Sequence, residues 1–179
     1  EIFTPNPRSP YAVSKLAAEY YVRTIGGLWG IETVSLRIFN TYGPGQHLPA
    51  SHPPVVPHYL RQALRSGTLV AHGDGSQTRD FVYVDDVVSG LVAAATAPTI
   101  NGLVINIGSG KETSVRELIK CVQDVTGSSA EVIYNSTTSG GVSRLCADLS
   151  LASQKLNYRP SIGLSDGLRL TLKRDPRFK

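Results

Sequence analysis

The stretch Ser9-Pro10-Tyr11-Ala12-Val13-Ser14-Lys15 decides how the whole sequence is interpreted. Tyr11 and Lys15 are four residues apart, so on a helix they lie on one face, one turn from each other. Ser9 suits the N-cap of that helix, and Pro10 suits its first turn, where a missing N–H costs nothing. A lysine ammonium close to a phenol stabilises the phenolate, so such a pair is suited to proton transfer. The same spacing also occurs by chance between surface residues, so the rest of the chain has to decide between these interpretations.

Composition places the chain among ordinary globular proteins. Of its 179 residues 41% are apolar and 18% are charged, and no apolar run approaches the ~18 residues of a membrane span. The net charge of +4 is scattered along the chain, whereas nucleic-acid binding requires a clustered basic patch. We therefore expect neither a membrane nor a nucleic-acid partner. The absence of an export leader favours the cytoplasm. A start at Glu1, without methionine, suggests the middle of a gene product.

Three patterns that resemble binding motifs are better explained without a ligand. Gly108-Ser109-Gly110-Lys111 lacks both the earlier glycine and the following hydroxyl residue of a phosphate-binding P-loop. The four histidines have no metal-ligand spacing, so no metal is expected. Cys121 and Cys146 lie in apolar stretches and are expected to be buried free thiols. Trp29 is expected to pack in the core.

Strand-like and helix-like segments alternate along the chain, which predicts an α/β fold with a largely parallel sheet. A loop, Asn40-Thr41-Tyr42-Gly43-Pro44-Gly45-Gln46, is expected after the first strand, where ligands bind in open α/β sheets. Asp85 or Asp86 is expected to cap the third helix, and Ser114 and Glu117 form a capping box for the fourth. The predicted helices span residues 9–29, 55–65, 86–95, 115–125, 150–156 and 164–173, and the predicted strands span 33–39, 69–71, 81–84, 103–107 and 131–134.

Four segments in register give the chain a family resemblance. They are residues 9–19, residues 36–45 (LRIFNTYGPG), residues 73–86 (GDGSQTRDFVYVDD) and residues 106–110 (NIGSG). Together they resemble the extended short-chain dehydrogenase/reductase family, in its NAD-dependent nucleotide-sugar epimerase/dehydratase branch, and UDP-glucose 4-epimerase-like members most of all. The resemblance covers nearly all 179 residues, in the order that the family shows.

The resemblance implies a fold and a division into domains. Residues 1–44 and 80–109 correspond to the remainder of a Rossmann-like dinucleotide-binding domain, and residues 45–79 and 110–179 to a smaller α/β nucleotide-sugar-binding domain. The family's N-terminal half, with its G-x-x-G-x-x-G turn and its catalytic serine or threonine, has no counterpart in this sequence. The chain is therefore similar to the C-terminal half of such an enzyme, and on its own it is expected to hold NAD weakly and to turn over no substrate.

The resemblance also assigns roles to individual residues. Tyr11 corresponds to the general base, and Lys15 to its electrostatic partner, which also binds the nicotinamide ribose; both count as cofactor contacts. Phe39 matches a position that touches the cofactor, although a core strand residue explains it equally well. The substrate-binding residues implied in the same way are Asn40, Val55, Val70, Ala71, His72 and Arg79.

Several of these assignments keep a simpler alternative. Arg79, expected at the nucleotide phosphates, could instead form an ion pair with Asp74 or Asp80, and packing accounts equally well for the valines. The family's Arg-x-Gly-Asp segment corresponds here to residues 138–141 (TSGG), which lack the arginine that grips the pyrophosphate. Arg144 could replace that arginine, or it could be an ordinary surface residue.

The leading functional hypothesis is NAD-dependent epimerisation at C4 of a UDP-hexose through a 4-keto sugar. A nucleotide-sugar 4,6-dehydratase or decarboxylase is the related alternative, and a non-catalytic sugar-nucleotide binding module is an alternative of another class. The resemblance also implies a homodimer in which the helix of Tyr11 packs against its symmetry mate. Leu16, Ala17 and Tyr20 could then belong either to that interface or to the core.

Overall fold

The computed structural model describes residues 1, 4–135 and 142–179 of the chain. Within that part, the predicted helices and strands are present, and a short 3₁₀ turn, Pro176–Phe178, follows the last helix. Three further strands, which the sequence does not predict, lie at Asn40–Tyr42, Thr78–Arg79 and Thr113–Ser114. The helices are α1 (Pro10–Trp29), α2 (Val55–Leu64), α3 (Val84–Thr96), α4 (Val115–Thr126), α5 (Ser150–Leu156) and α6 (Leu164–Arg174). The strands are β1 (Ser35–Ile38), β2 (Asn40–Tyr42), β3 (Leu69–His72), β4 (Thr78–Arg79), β5 (Phe81–Tyr83), β6 (Val104–Ile107), β7 (Thr113–Ser114) and β8 (Val132–Asn135).

Parallel pairing dominates the described strands. β1 pairs with β6, β2 with β5 and β3 with β8, all in parallel, while β4 and β7 form an antiparallel pair. Phe39 N–H donates to the Ile107 carbonyl, and the next amide, that of Asn40, donates to the Asp80 carbonyl on the opposite side. The segment formed by β1 and β2 therefore lies between β6 and β5. The predicted α/β fold with a largely parallel sheet is confirmed.

Residues 40–42 are a strand and not the start of the predicted loop. Tyr42 is fully buried, and its ring meets that of Tyr83 edge-on at 5.6 Å between centroids, so this segment is held in the core by aromatic packing. Asn40 and the Gly-Pro-Gly that follows Tyr42 are typical of turns, so the local sequence favours a loop. The cross-strand partner of Tyr42 is Tyr83, which is too distant in sequence for a local pattern to indicate it. The turn begins only after Tyr42.

Helix α1 begins and ends as the sequence predicts. Ser9 is the N-cap, and its Oγ accepts a hydrogen bond from the Ala12 amide at 3.1 Å. Gly30 ends the helix in the left-handed conformation, with φ of 65°. Among the described residues of this helix, Gly26 alone is buried. A Cβ at Gly26 would lie 2.6 Å from the Thr33 methyl, so only glycine allows this close approach.

The prediction that Trp29 packs in the core is wrong, since its side chain is 76% exposed. Ile25 and Tyr21, on the same helix, are also exposed. The apolar spacing of the helix indicated a buried face, but the described elements do not cover that face.

The buried apolar side chains form two clusters. The first contains Tyr42, Leu60, Leu69, Tyr83, Leu118 and Leu168, and joins α2, α4 and α6 to β2, β3 and β5. The second contains Val82, Ile105, Ile107, Leu156 and Tyr158, and packs α3 and α5 against β5 and β6. Strand β5 therefore contributes to both clusters: Phe81 and Tyr83 belong to the first, and Val82 belongs to the second.

The carboxylate of Asp80 is fully buried and joins three parts of the chain. Its oxygens accept hydrogen bonds from the Ser109 amide and hydroxyl, both at 2.7 Å, from the Gly110 amide at 2.9 Å and from the Ala147 amide at 3.0 Å. A charged acceptor in the interior is tolerated only when its lone pairs are satisfied in this way. The residue therefore fixes the loop after β6 and the segment before α5 against the end of β4.

Two further buried carboxylates hold connecting segments. Asp86 accepts hydrogen bonds from the amides of Ser161 and Ile162, so it secures the segment that leads into α6. The predicted cap at Asp85 or Asp86 is wrong, because α3 already begins at Val84 and both aspartates lie in its first turn.

Asp175 accepts hydrogen bonds from the Gly45 amide and from Arg177, and the Arg177 hydrogen bond holds the pKa of this carboxyl well below its usual range. The end of the chain is thereby tied to the turn after β2.

The predicted capping box of α4 is confirmed, since Ser114 and Glu117 exchange both of its hydrogen bonds. Within the ranges that the structure describes, no helix combines the length and the apolarity that a bilayer crossing requires.

Asp80→Asn is expected to lower the free energy of unfolding by about 3 kcal/mol. The variant loses the charge that strengthens four hydrogen bonds, and its NH₂ group would face backbone donors instead of accepting from them. Urea unfolding of the chain, followed by circular dichroism, measures this difference. The exposed Asp124→Asn on α4 is the control and is expected to stay within about 0.5 kcal/mol of the wild type. Equal midpoints for both variants would contradict the role given to Asp80.

Candidate active site

A cleft of about 680 Å³ opens where β1 passes into β2. Its volume lies within the range of small-molecule binding sites in proteins. Helix α1 contributes Tyr11 to it, β6 contributes Asn106, and the segment before α5 contributes its far side. The complete lining is Glu1, Tyr11, Arg37, Ile38, Phe39, Asn40, Thr41, Asn106, Leu145, Cys146 and Asp148. The cleft therefore brings together three of the residues predicted from the sequence, namely Tyr11, Phe39 and Asn40.

Tyr11 and Lys15 lie on one face of α1, as their spacing predicts. The Lys15 ammonium is 5.5 Å from the centroid of the Tyr11 ring. The Tyr11 side chain is 71% exposed, and the Ser14 hydroxyl donates to the Tyr11 carbonyl at 2.8 Å, within the first turns of the helix. The ammonium therefore lies against the phenol ring, and both side chains are open to a group bound in the cleft.

A bidentate ion pair between Arg37 and Glu19 joins helix α1 to strand β1. Arg37 Nε and Nη2 donate to the two oxygens of Glu19 at 2.9 and 3.0 Å. The Glu19 side chain is 12% exposed and that of Arg37 is 33% exposed. The Glu19 hydrogen bond raises the pKa of Arg37, so the guanidinium is held firmly in its charged form.

Residues 142–148, which we call the wall segment, contribute Leu145, Cys146 and Asp148 to the lining of the cleft. Its carbonyl at Ser143 accepts from the Thr78 amide at 2.9 Å, and its amide at Ala147 donates to buried Asp80. The Asp148 carbonyl accepts from the Asn106 side chain at 3.3 Å. These hydrogen bonds attach the wall segment to β4, to Asp80 and to β6. The wall segment is therefore held against the strands that lie beside the cleft.

Arg79 holds the wall segment and does not line the cleft. Its Nη1 donates to the carbonyls of Thr78 and Val142, both at 2.7 Å, and burial lowers the pKa of its guanidinium. Asp74 instead forms an ion pair with Arg116 at 3.8 Å. The predicted role of Arg79 at the nucleotide phosphates stays a prediction.

Arg144, in the wall segment, forms a bidentate ion pair with Glu112, in which its Nε and Nη2 donate to the two carboxylate oxygens at 2.9 and 3.0 Å. Its side chain is 77% exposed. Binding to a pyrophosphate would require this ion pair to open, so its role at the substrate also stays a prediction. Residues 138–141, the counterpart of the family's Arg-x-Gly-Asp segment, lie outside the described residues.

The remaining predicted substrate residues are separated by the alternation of strand β3. Ala71 is fully buried in the first cluster, so its side chain packs the core and is not open to a ligand. Val70 and His72 point to the other side and are exposed. Val55 packs partly buried against the first cluster at the start of α2. None of these four lines the cleft around Tyr11.

The two cysteines differ from the prediction that both are buried. Cys121 is half-buried on α4, but Cys146 is exposed in the cleft. Partial burial raises the pKa of the Cys146 thiol, and the nearby carboxylates of Asp80 and Glu112 raise it further. The apolar neighbours of Cys146 in sequence indicated burial, whereas the course of the wall segment brings the thiol to the surface.

The nicotinamide end of NAD fits the residues around this cleft. The Phe39 ring is half-buried there, and the Tyr11 phenol and Lys15 ammonium supply hydrogen-bonding groups beside it. The G-x-x-G-x-x-G turn that binds a dinucleotide pyrophosphate does not occur in the 179 residues. The role of these residues at the cofactor stays a prediction. Over the described ranges, no group of three or more His, Cys, Asp or Glu side chains is arranged to hold a metal ion.

Four residues that line the cleft are not predicted from the sequence, namely Arg37, Asn106, Leu145 and Cys146. Arg37 and Asn106 belong to the segments that carry the family resemblance, so a signal for them was available. Leu145 and Cys146 had no local signal, because only the hydrogen bonds of the wall segment bring them to the cleft.

Comparison with known proteins gives a consistent result. The NAD dependent epimerase/dehydratase family matches residues 1–108. The UDP-glucose 4-epimerase of Mycolicibacterium smegmatis is 34% identical over 168 residues, which are 94% of this chain and 53% of that protein. The UDP-glucuronic acid decarboxylase 1 of Arabidopsis thaliana is 35% identical over 161 residues, 90% of this chain and 36% of that protein.

A crystal structure with a similar fold contains both a sugar nucleotide and a dinucleotide. It is the UDP-glucuronic acid 4-epimerase of Bacillus cereus in complex with UDP-glucuronic acid and NAD, which is 36% identical to this chain with a TM-score of 0.89. The match covers 100% of this chain and 56% of that one, so the chain spans about half the length of these relatives. On the family match, the shared fold and the Tyr11–Lys15 pair at the cleft, the chain belongs to the NAD dependent epimerase/dehydratase family.

Proposed function

We propose that the complete protein containing this sequence is an NAD-dependent epimerase that inverts C4 of a UDP-hexose, with UDP-glucose and UDP-galactose as its substrate pair. The observation that carries the proposal is the placement of Tyr11, with Lys15 beside it, in the same cleft as Phe39 and Asn40. A non-catalytic binding module would not need a cation beside a phenol at the mouth of its cleft. The names of the relatives support UDP-sugars as the substrate class.

Tyr11 acts as the general base in this proposal. It takes the proton of the sugar 4-hydroxyl, and the Lys15 ammonium beside its ring supplies a compensating positive charge. When bound, NAD would supply both the hydride acceptor and the hydride donor for C4, so that the reaction has no net redox change. Tyr11 returns the proton to the 4-oxygen as the keto group is reduced, while Phe39 bounds the cofactor side of the cleft and Asn40 holds the sugar nucleotide by hydrogen bonding.

The rest of the chain is proposed to hold the nucleotide. Residues 1–44 and 80–109 would form the remainder of the dinucleotide-binding domain, and residues 45–79 and 110–179 the nucleotide-sugar domain. Val55, Val70 and His72 are proposed near the nucleotide base, and Arg79 and Arg144 near the phosphates, where a guanidinium fork suits a diphosphate. A cytoplasmic location stays a prediction.

A nucleotide-sugar decarboxylase or 4,6-dehydratase is the second candidate, because UDP-glucuronic acid decarboxylases are among the similar proteins. Both reactions would use Tyr11 and Lys15 in the same first step. They differ from epimerisation in the acid or base groups that act on the keto sugar. The product distinguishes them: CO₂ is released by a decarboxylase, water by a dehydratase, and neither by an epimerase.

Tyr11→Phe is expected to lower kcat by about 10²- to 10⁴-fold, because the ring keeps its packing and loses the group that moves the proton. The complete protein is incubated with NAD and UDP-glucose, and UDP-galactose is measured by anion-exchange chromatography. Tyr21→Phe, on the same helix and exposed, is the matched control and is expected to keep wild-type turnover.

Unchanged turnover in Tyr11→Phe would remove Tyr11 from the role of base. If the wild-type protein converts UDP-glucuronate with release of CO₂, and leaves UDP-glucose unchanged, the decarboxylase is correct. If it binds UDP-sugars and converts none of them, the binding module is correct.

Cys146 is expected to report occupancy of the cleft. Only a thiolate reacts with iodoacetamide, so its raised pKa predicts slow labelling at pH 7 that becomes faster as the pH rises towards 9. UDP-glucose at about ten times its Kd should slow labelling of Cys146 about tenfold. Cys121, away from the cleft, is the internal control, and peptide mass spectrometry quantifies both cysteines. Equal protection of the two thiols would contradict substrate binding in this cleft.

A homodimer that uses α1 is proposed as the assembly. Ala17 and Tyr20 are exposed on this helix while Leu16 is half-buried, so the first two are available for an interface. Ala17→Glu would place a charge there and is expected to convert the dimer to a monomer in sedimentation velocity experiments. Ser153→Glu, at an exposed position of α5, is the control and should leave the mass unchanged. A wild-type protein that sediments as a monomer would contradict this assembly.

A further inference from the structure

The ion pair between Glu19 and Arg37 connects the two elements that carry the candidate active site. Glu19 lies on α1, eight residues after Tyr11 and four after Lys15, so all three follow one stripe of the helix. Arg37 lies on β1, two residues before Phe39 and three before Asn40. The pair therefore joins the helix that carries the base to the strand that leads to the cofactor and sugar contacts.

Helix α1 has little other support within the described part of the chain. Gly26 is its buried residue, and it lies near the end of the helix away from Tyr11. The Ser9 cap is a bond within the helix itself and fixes no position relative to the sheet. Towards Tyr11, the Glu19–Arg37 pair is the polar connection to the sheet, with two hydrogen bonds of 2.9 and 3.0 Å.

The geometry of the pair restricts both distance and orientation. The guanidinium is planar and donates from Nε and Nη2 to both carboxylate oxygens, so sliding or rotation of the helix would strain at least one of the two bonds. A lysine in place of Arg37 would keep the charge but supply a point contact without this planarity. The low exposure of the Glu19 side chain, 12%, limits competition from water.

From this geometry we infer that Glu19 and Arg37 are positioning residues that set the distance from Tyr11 to the sugar 4-hydroxyl in the cleft. The inference rests on the proposed function, since it is the proton transfer by Tyr11 that needs this distance. Neither residue moves a proton itself. Misplacement of a reacting group by about 1 Å can cost about 100-fold in rate, so loosening α1 should act on kcat before it acts on substrate binding.

Arg37→Lys in the complete protein is the decisive variant, because it preserves both charges and removes only the fork. We expect kcat with UDP-glucose to fall at least about tenfold while KM changes less than about threefold. The melting temperature is expected to stay close to that of the wild type. Hydrogen–deuterium exchange should show faster exchange of the amides of α1 between residues 14 and 20, with the protection of β6 and α4 unchanged.

Two further variants separate positioning from stability. Glu19→Gln should resemble Arg37→Lys, and the reversed pair E19R/R37E should regain a substantial part of kcat because it restores the fork. Arg169→Lys, which alters an exposed ion pair on α6 with Asp166, is the matched control and should leave kcat and α1 exchange unchanged. Should Glu19→Gln fail to fold, Arg37→Lys still decides the question.

Unchanged kcat in Arg37→Lys would overturn the inference. A parallel fall of kcat, melting temperature and β6 protection would also overturn it, because the pair would then be a general stabilising contact. A wild-type protein without turnover of any UDP-sugar would refute the proposed function instead. In that event the exchange data decide alone: selective loss of protection in α1 supports the tether, and unchanged protection refutes it.

Discussion

The buried carboxylate of Asp80 is the constraint on which the arrangement of the cleft depends. A charge with no exposed surface is costly in a protein interior unless hydrogen bonds compensate it, and here four donors do so. The donors come from the loop after β6 and from the wall segment. Because Asp80 itself lies directly before β5, the requirement to satisfy one carboxylate holds three separate parts of the chain together. Gly108 completes this centre, since a Cβ there would lie 2.7 Å from the carboxylate.

The cleft follows from that centre. Once the wall segment is attached to Asp80 and to the Thr78 amide, its residues Leu145 and Cys146 face the end of β1. Tyr11 on α1 also lines the cleft, and α1 is connected to the sheet by the ion pair between Glu19 and Arg37. The site is therefore assembled from one side that is fixed by buried hydrogen bonds and one side, on α1, whose polar connection to the sheet is the Glu19–Arg37 ion pair. Sites of proton transfer require both sides to be placed within fractions of an ångström.

The sequence predicts best what is determined locally. The cap of α1, the capping box of α4 and the order of strands and helices depend on neighbouring residues, and the structure confirms them. The errors concern residues whose environment is set by distant segments. Tyr42 is in a strand because Tyr83 packs against it, and Cys146 is exposed because of the course of the wall segment. Trp29 has the apolar spacing of a core residue and yet lies at the surface, since burial depends on what covers a helix and not on its own pattern.

Helix α1 shows why function and packing need not coincide. Most of the stability of a helix in a protein comes from the packing of its apolar face against a core. Gly26 and Gly27 near its end weaken it further, and Tyr21, Leu28 and Trp29 remain exposed. The element that carries the candidate base is thus among the least buried in the described chain. Its position must come from directional contacts, namely the Glu19–Arg37 fork, together with whatever covers its apolar face. Since a fork fixes orientation while apolar contact does not, the ion pair is the part of this support that can determine where Tyr11 points.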